Sequence, residues 1–122
     1  IGAGNQKLTN VGAGTEATDA VNVSQLNAVG SSINNLSNRI NEVEDNANAG
    51  TATAIAIANL PQAYEPGARV FSVAAGAYEG ETGYAVGYSA ISDGGNWIIK
   101  ASGTANSQQK FGAGAGVGYR WR

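Results

Sequence analysis

The sequence predicts a membrane β-barrel joined to a coiled coil, with a four-stranded antiparallel meander contributed by each chain. Three observations predict it. Apolar residues repeat every 3.5 positions through the first half of the chain. Strict two-residue alternation runs through the second half, with glycine on one face and apolar or aromatic residues on the other. Between the halves stands Pro61…Pro66-Gly67, a helix-stopping segment.

Composition supports that division. Of 122 residues, 18 are Gly and only 13% are charged, with two Trp, two Phe and five Tyr. That is too little bulk for an ordinary globular core. With no Cys and no His, disulfides, thiol chemistry, the usual zinc sites and His-dependent nucleophilic catalysis are excluded, and no cofactor site is expected. A net charge of −2 disfavours nucleic acid as a partner. No apolar run reaches the ~18 residues of a transmembrane helix. The chain begins at Ile1 without a signal peptide, which reads as an internal or C-terminal piece of a longer protein. Residues 1–68 carry a net charge of −4 and residues 69–122 a net +2.

The heptad positions are Leu26, Val29, Ile33, Leu36, Ile40, Val43 and Ala47, continued by Gly50, Ala54 and Ile57. A sustained 3.5-residue period specifies a left-handed coiled coil, whose seam needs other helices. With Leu26 at position a, Arg39 and Glu44 take the g and following e positions of parallel strands, which set orientation more than stability. The outer face (Asn34, Asn35, Asn38, Asn41, Asn48) is polar. A helix over residues 21–59 would reach about 58 Å, roughly twice a bilayer core. Its C-terminal half therefore belongs inside a barrel and its N-terminal half forms a stalk. Residues 50–58 are uncharged and mostly small, which suits a narrow tube.

Four strands are expected, at Arg69–Glu79, Thr82–Ser92, Asn96–Ala105 and Lys110–Trp121. Their turns are Glu79-Gly80-Glu81, Asp93-Gly94-Gly95 and Asn106-Ser107-Gln108-Gln109. In the last strand Phe111, Ala113, Ala115, Val117, Tyr119 and Trp121 share one face, and Gly112, Gly114, Gly116 and Gly118 the other. The second strand repeats the design, with Tyr84, Val86 and Tyr88 against Gly83, Ala85, Gly87 and Ser89. Bare glycine faces weaken a soluble sheet. They make sense where the apolar face (Tyr84, Tyr88, Phe111, Val117, Tyr119, Trp121) meets lipid and the glycine face (Gly83, Gly87, Gly112, Gly114, Gly116, Gly118) lines a lumen. Four strands cannot close a barrel, and lipid does not tolerate open edges. An eight-stranded barrel has no room for helices. The lumen argument thus favours a homotrimer with about twelve strands and three lumenal helices.

These residues resemble the C-terminal anchor of YadA-like trimeric autotransporter adhesins (type Vc secretion). Lys7-Leu8-Thr9-Asn10-Val11 with Thr18-Asp19-Ala20-Val21-Asn22-Val23-Ser24-Gln25-Leu26 is similar to the family's neck. Gly50 to Leu60 with Gln62-Ala63-Tyr64 resembles its lumenal helix and turn. The strands ending Val117-Gly118-Tyr119-Arg120-Trp121 resemble its anchor, although Arg122 follows the terminal aromatic that outer-membrane assembly machinery reads in this family. The implied organisation is a neck at 1–25, stalk and lumenal helix at 26–60, a turn at 61–68 and the β anchor at 69–122. The implied function is an anchor and translocation pore in the Gram-negative outer membrane, exporting its own passenger and holding it at the cell surface. Host ligands would be bound by a head absent from this chain. Ala52, Thr53, Ala54 and Ala56 are the expected start of the export hairpin. Gly80 and the Asn106–Gln109 loop are expected outside, with Asp93–Gly95 and the C-terminus on the periplasmic side.

Rival readings are a soluble fibrous stalk with a β-cap and a solute-conducting pore. Gly112–Gly116 lacks dinucleotide-loop spacing. Glu79 and Glu81 read as a solvated turn, Asp93 as a turn residue. Asn22-Val23-Ser24 and Asn35-Leu36-Ser37 are chance sequons. Lys100 is assigned to the lumen or the headgroup zone, and Lys110 and Arg120 to interfacial positions at strand ends. No enzyme is expected.

Overall fold

The computed structural model describes residues 4–121. Residues 1–3 of the expected neck, and Arg122, lie outside the described residues. Helix α1 spans Val23–Ala58, followed by β1 (Arg69–Tyr78), β2 (Glu81–Ile91), β3 (Trp97–Asn106) and β4 (Phe111–Tyr119). The chain divides into two compact units between Asn41 and Glu42.

In the first unit, Asn22 and Gln25 start the helix with a capping box. Asn22 Oδ1 accepts from the Gln25 N–H at 3.0 Å, and Gln25 Oε1 accepts from the Asn22 N–H at 3.2 Å. The same Gln25 amide binds Gly14 twice, accepting from its N–H and donating to its carbonyl, both at 3.0 Å. Asn22 Nδ2 donates to the Val11 carbonyl at 3.1 Å. Two side chains thus fix the helix start and the chain segment leading into it together. Asp19 closes the intervening loop by accepting from the N–H groups of Thr15 and Glu16 at 3.0 Å. These bonds favour the carboxylate and hold Asp19 below its ordinary pKa, Thr15 contributing most and Glu16 next.

In the second unit, α1 ends on schedule. Asn59 N–H and Leu60 N–H bond back to the carbonyls of Ala56 and Ile57, which tightens the last turn, and Asn59 Nδ2 takes the Ile55 carbonyl. Pro61 then blocks continuation. The sheet is a meander of order β1-β2-β3-β4, antiparallel throughout. Strand ends fall within two residues of expectation. β4 stops at Tyr119, two residues early, although the Arg120 N–H still reaches the Asn96 carbonyl, the next step of the β3–β4 register. Glu79 (φ 47°) and Gly80 (φ 78°) form the two-residue β1–β2 turn in the left-handed geometry that hairpins favour. The core is small: Ala56, Leu60 and Ala85, with Ile57 and Ala74 packed against it. No helix among the described residues is long and apolar enough to cross a membrane.

Candidate functional site

The candidate site is the sheet itself, because its two faces differ in kind. Register assigns every strand residue to a face. Val70, Ser72, Ala74, Gly76 and Tyr78 of β1 share the inner face with Gly83, Ala85, Gly87, Ser89 and Ile91 of β2. On β3 and β4 that face carries Ile98, Lys100, Ser102, Thr104 and Asn106, then Gly112, Gly114, Gly116 and Gly118. The C-terminal part of α1 lies on this face. Ala49, Ala52 and Ala56 of the helix are fully buried.

The approach is as close as backbones allow. A Cβ on Gly76 would lie 2.6 Å from the Ala52 carbonyl oxygen and 2.9 Å from the Ala56 nitrogen. On Gly83 it would strike the Thr53 nitrogen and the Ala52 carbonyl carbon, the latter at 2.6 Å. On Gly87 it would meet the Leu60 side chain at 3.0 Å. Of the helix residues that meet these glycines, Ala52, Thr53 and Ala56 are small, and the larger Ile55 has its Cβ 2.9 Å from the Cβ position of Gly76. Ser89, also buried, accepts the Ala63 N–H at 2.7 Å and fixes the chain as it turns from α1 toward β1.

Cover thins beyond β2: the inner-face residues of β3 are half-buried, and Asn106 at its end donates to Thr53 Oγ1 at 3.5 Å. β4 is exposed along its whole length. Nothing stands within 4 Å of a Cβ placed on Gly116 or Gly118, and Gly112 and Gly114 meet only the hydroxyls of Thr104 and Ser102. The six expected lumen glycines therefore share one face, but only Gly83 and Gly87 are in contact with helical or turn residues of the same chain. Gly76 makes the same kind of contact and was not anticipated. Lys100 is half-buried on this inner face, beside Ser89 and Gly116.

Apart from Arg69 and Thr82 at strand ends, the outer face is apolar across all four strands. Phe71, Val73, Tyr84, Val86, Trp97, Ile99, Phe111, Val117 and Tyr119 are exposed there, followed by Trp121. Every expected lipid-facing residue lies on this side, with Tyr88 half-buried against Phe71 (centroids 5.8 Å apart). Aromatics gather toward the strand ends. Trp97 and Tyr119 are cross-strand partners with centroids at 5.0 Å, and Trp121 stacks on Tyr119. Tyr84 and Phe111 stand toward the other end. From Trp97 to Ala105, the partner of Phe111, the strand runs about 27 Å. Tilted by about 40°, that spans about 21 Å, close to the ~25 Å apolar band of outer-membrane barrels.

The helix shows the complementary pattern. Leu26, Val29, Ile33, Leu36, Ile40 and Val43 are exposed at 56–67%, as are Ala47 and Ala54. Ile57, assigned to the coil seam, is half-buried and packs on the Leu60 cluster of its own chain. Of the expected hairpin residues, Ala52 and Ala56 are buried against the sheet, Thr53 is half-buried and Ala54 is exposed. Glu81 also departs from the solvated-turn reading. Its carboxylate accepts from Ser107 Oγ and from Gln108 Nε2, tying the β1–β2 turn to the β3–β4 turn. Lys110 is exposed where β4 begins, and Arg120 half-buried just past its end. No cluster of metal-ligating side chains occurs among the described residues.

A family model described as a YadA-like membrane anchor domain matches residues 61–121, and one described as the coiled stalk of trimeric autotransporter adhesin matches residues 7–49. The autotransporter adhesin NhhA of Neisseria meningitidis serogroup B is 53% identical over 115 residues, covering 94% of this chain and 19% of that protein. The autotransporter adhesin EhaG of Escherichia coli O157:H7 is 35% identical over 132 residues, 99% of this chain and 8% of that protein. The trimeric autotransporter adhesin AtaA of Acinetobacter sp. (strain Tol 5) is 35% identical over 116 residues, 86% of this chain and 3% of that protein. The chain thus spans less than a fifth of the length of each of these relatives.

Proposed function

Since the chain belongs to the trimeric autotransporter adhesins and is their YadA-like membrane anchor with part of the coiled stalk, we propose that three copies close one barrel in the outer membrane. The observation that carries this reading is the sheet's asymmetry. One face is largely apolar and open, the other is glycine-rich on β2 and β4 and pressed onto an alanine-rich helix at β1 and β2, and both β1 and β4 are free edges. Free edges are untenable in lipid. Pairing β4 of one copy with β1 of the next removes every edge and, with three four-stranded sheets, gives about twelve strands.

The exposed heptad face supports the same count of helices as sheets. Ala52 and Ala56 meet the chain's own sheet at Gly76 and Gly83, which leaves Ala54 and the heptad positions before it for the other helices. Fully burying each Leu, Ile or Val of that seam contributes about 1.5–3 kcal/mol.

As a translocator, the barrel passes its own N-terminal passenger outward before the helices occupy the lumen. Ala52, Thr53, Ala54 and Ala56 start the exported hairpin, since small uncharged side chains pass a narrow lumen most easily. With no nucleotide-binding motif in the sequence, passenger folding outside drives export. Adhesion to host ligands belongs to the head of the whole protein, and insertion to the outer-membrane assembly machinery. The role is structural and transport-related, with no catalytic step. Gel mobility in detergent tests the trimer. The expected result is a heat-resistant band near three times 12.3 kDa that collapses to monomer on harsh denaturation. A species that is monomeric and soluble in plain buffer would instead mark a fibrous stalk with a β-cap. A large open conductance in bilayers would mark a solute pore.

A further inference from the structure

A groove of about 340 Å³ opens at the end of the sheet that carries the β2–β3 turn, lined by Gly67, Arg69, Ala90, Ile91, Ser92, Asp93, Trp97 and Ile99. Its position follows from the register. Arg69 pairs with Ala90, and Ala90 with Ile99, so the three stand side by side on the outer face. Ala90 is the small floor between a cationic wall and an apolar one. One step further toward the turn, Ser92 and Trp97 close the hairpin. The Ser92 N–H donates to the Trp97 carbonyl at 2.9 Å, and the Trp97 N–H donates to Ser92 Oγ at 3.1 Å. This holds the indole beside the groove. Asp93 follows at the mouth, exposed.

Arg69 is the one charged side chain on the outer face among the described strand residues. By register it is level with Ile99 and Val117, two residues inside the Trp97–Tyr119 pair, and as the first residue of β1 its long side chain can extend toward the headgroup depth that those aromatics mark. A guanidinium there is placed to take a phosphate through paired N–H donors. Asp93 in the same groove is wrong for a simple anion. It is right for a ligand that carries a positive group a short distance from its phosphate.

We propose that this groove binds the headgroup of a zwitterionic phospholipid bearing a primary ammonium. Arg69 takes the phosphate, Asp93 accepts hydrogen bonds from the ammonium, and Ile99 with Trp97 lines the path of the acyl chains. Each anchor then holds one lipid per chain in the periplasmic leaflet. The inference rests on the reading of the outer face as lipid-facing.

The test is native mass spectrometry of the purified trimer, released from vesicles of phosphatidylethanolamine, phosphatidylcholine or phosphatidylglycerol, with retained lipids counted. The wild type is expected to keep up to three lipids per trimer and to prefer phosphatidylethanolamine over both others. Arg69→Ala should lower retention of every phospholipid about fivefold, the worth of about 1 kcal/mol per headgroup contact. Asp93→Asn should leave phosphate binding intact and abolish the preference for the ammonium over choline. Equal retention of the three lipids by a wild-type trimer, unmoved by either substitution, would overturn the lipid site while leaving the anchor reading in place. A chain that yields no membrane-inserted trimer would defeat the anchor reading itself.

Discussion

Gly76 and Gly83 are cross-strand partners in β1 and β2, and both lie beneath the same turn of α1, at Ala52 and Thr53. Two adjacent glycines remove two side chains at one point, and the helix backbone enters the space. The first prediction follows. Gly83→Val places two extra methyl groups beyond a Cβ that already clashes with backbone, which cannot yield as a flexible side chain would. Overpacking costs about 1–3 kcal/mol, occasionally more. The heat-resistant trimer band should melt at a clearly lower temperature than wild type. An unchanged melting temperature would mean that α1 does not seat on this pair.

Gly116 provides the opposite case. Its Cβ position is open within a single chain, so Gly116→Val meets no obstacle inside the protomer. If three chains close the barrel, the lumen beside β4 holds a neighbour's helix, and the substitution should lower trimer melting and surface display together. The control is Ala115→Val on the outer face of the same strand, which should leave both near wild type. Normal assembly and display of the Gly116 variant would show that the glycine face of β4 meets no helix.

Those two glycines also mark where the sequence could and could not be read. Gly116 stands in Gly112–Gly118, where glycine alternates with apolar residues so strictly that strand and face follow directly. Gly76 stands in Ala74-Ala75-Gly76-Ala77, where both faces are small and alternation carries no contrast. The heptads were legible for a similar reason: Leu, Ile and Val stand against Asn and Ser. At Ile57 the heptad is harder to read, because the apolar pattern blurs once Ala and Ile fill residues 54–58. Only the location of the sheet decides which side Ile57 takes. The Glu81–Ser107 and Glu81–Gln108 bonds join residues 26 and 27 apart, a distance at which no local pattern speaks.

The neck carries a prediction from one side chain with two duties. Gln25 completes the capping box with Asn22 and also holds both backbone groups of Gly14. Gln25→Ala should cost about 1 kcal/mol through the cap alone. It should also free the Gly14 amide, which has no other partner among the described residues. Amide hydrogen exchange at Gly14 is expected to accelerate about fivefold or more, while exchange near Ile40 stays unchanged. Equal protection of Gly14 in both proteins would show that the chain before Asn22 is held by other means.

Asp19 adds a pH dependence to the same segment. Its folded pKa lies below the ordinary carboxylate value of 3.8, chiefly through the Thr15 N–H and then that of Glu16. A lowered folded pKa means that the stabilisation is present above the unfolded value. It is lost as pH falls through that value toward the lower folded one. The loop at Thr15–Asp19 should therefore keep its Thr15 and Glu16 amide protection at pH 5 and above, and lose it progressively below pH 4. Asp19→Asn should weaken protection at neutral pH and flatten the acid transition. An acid transition that persists in Asp19→Asn would assign it to a different carboxylate.

Ser89 carries the last prediction. It is 1% exposed on the inner face of β2, and its hydroxyl accepts the Ala63 N–H, itself 3% exposed, at 2.7 Å. Pro61 forces the chain off the helix axis there, so the Ala63 N–H has left the helical ladder without yet joining the sheet. Without Ser89 it is a buried donor with no acceptor. Ser89→Ala changes volume little, so the cost is the unsatisfied amide, about 1–3 kcal/mol. Ser89→Thr keeps the hydroxyl and should recover part of it. The readout is the melting temperature of the trimer in detergent, with Ser102→Ala on the half-buried part of the same face as control. Equal melting of Ser89→Ala and the control would mean that water replaces the hydroxyl and that the turn between α1 and β1 is not held at this point.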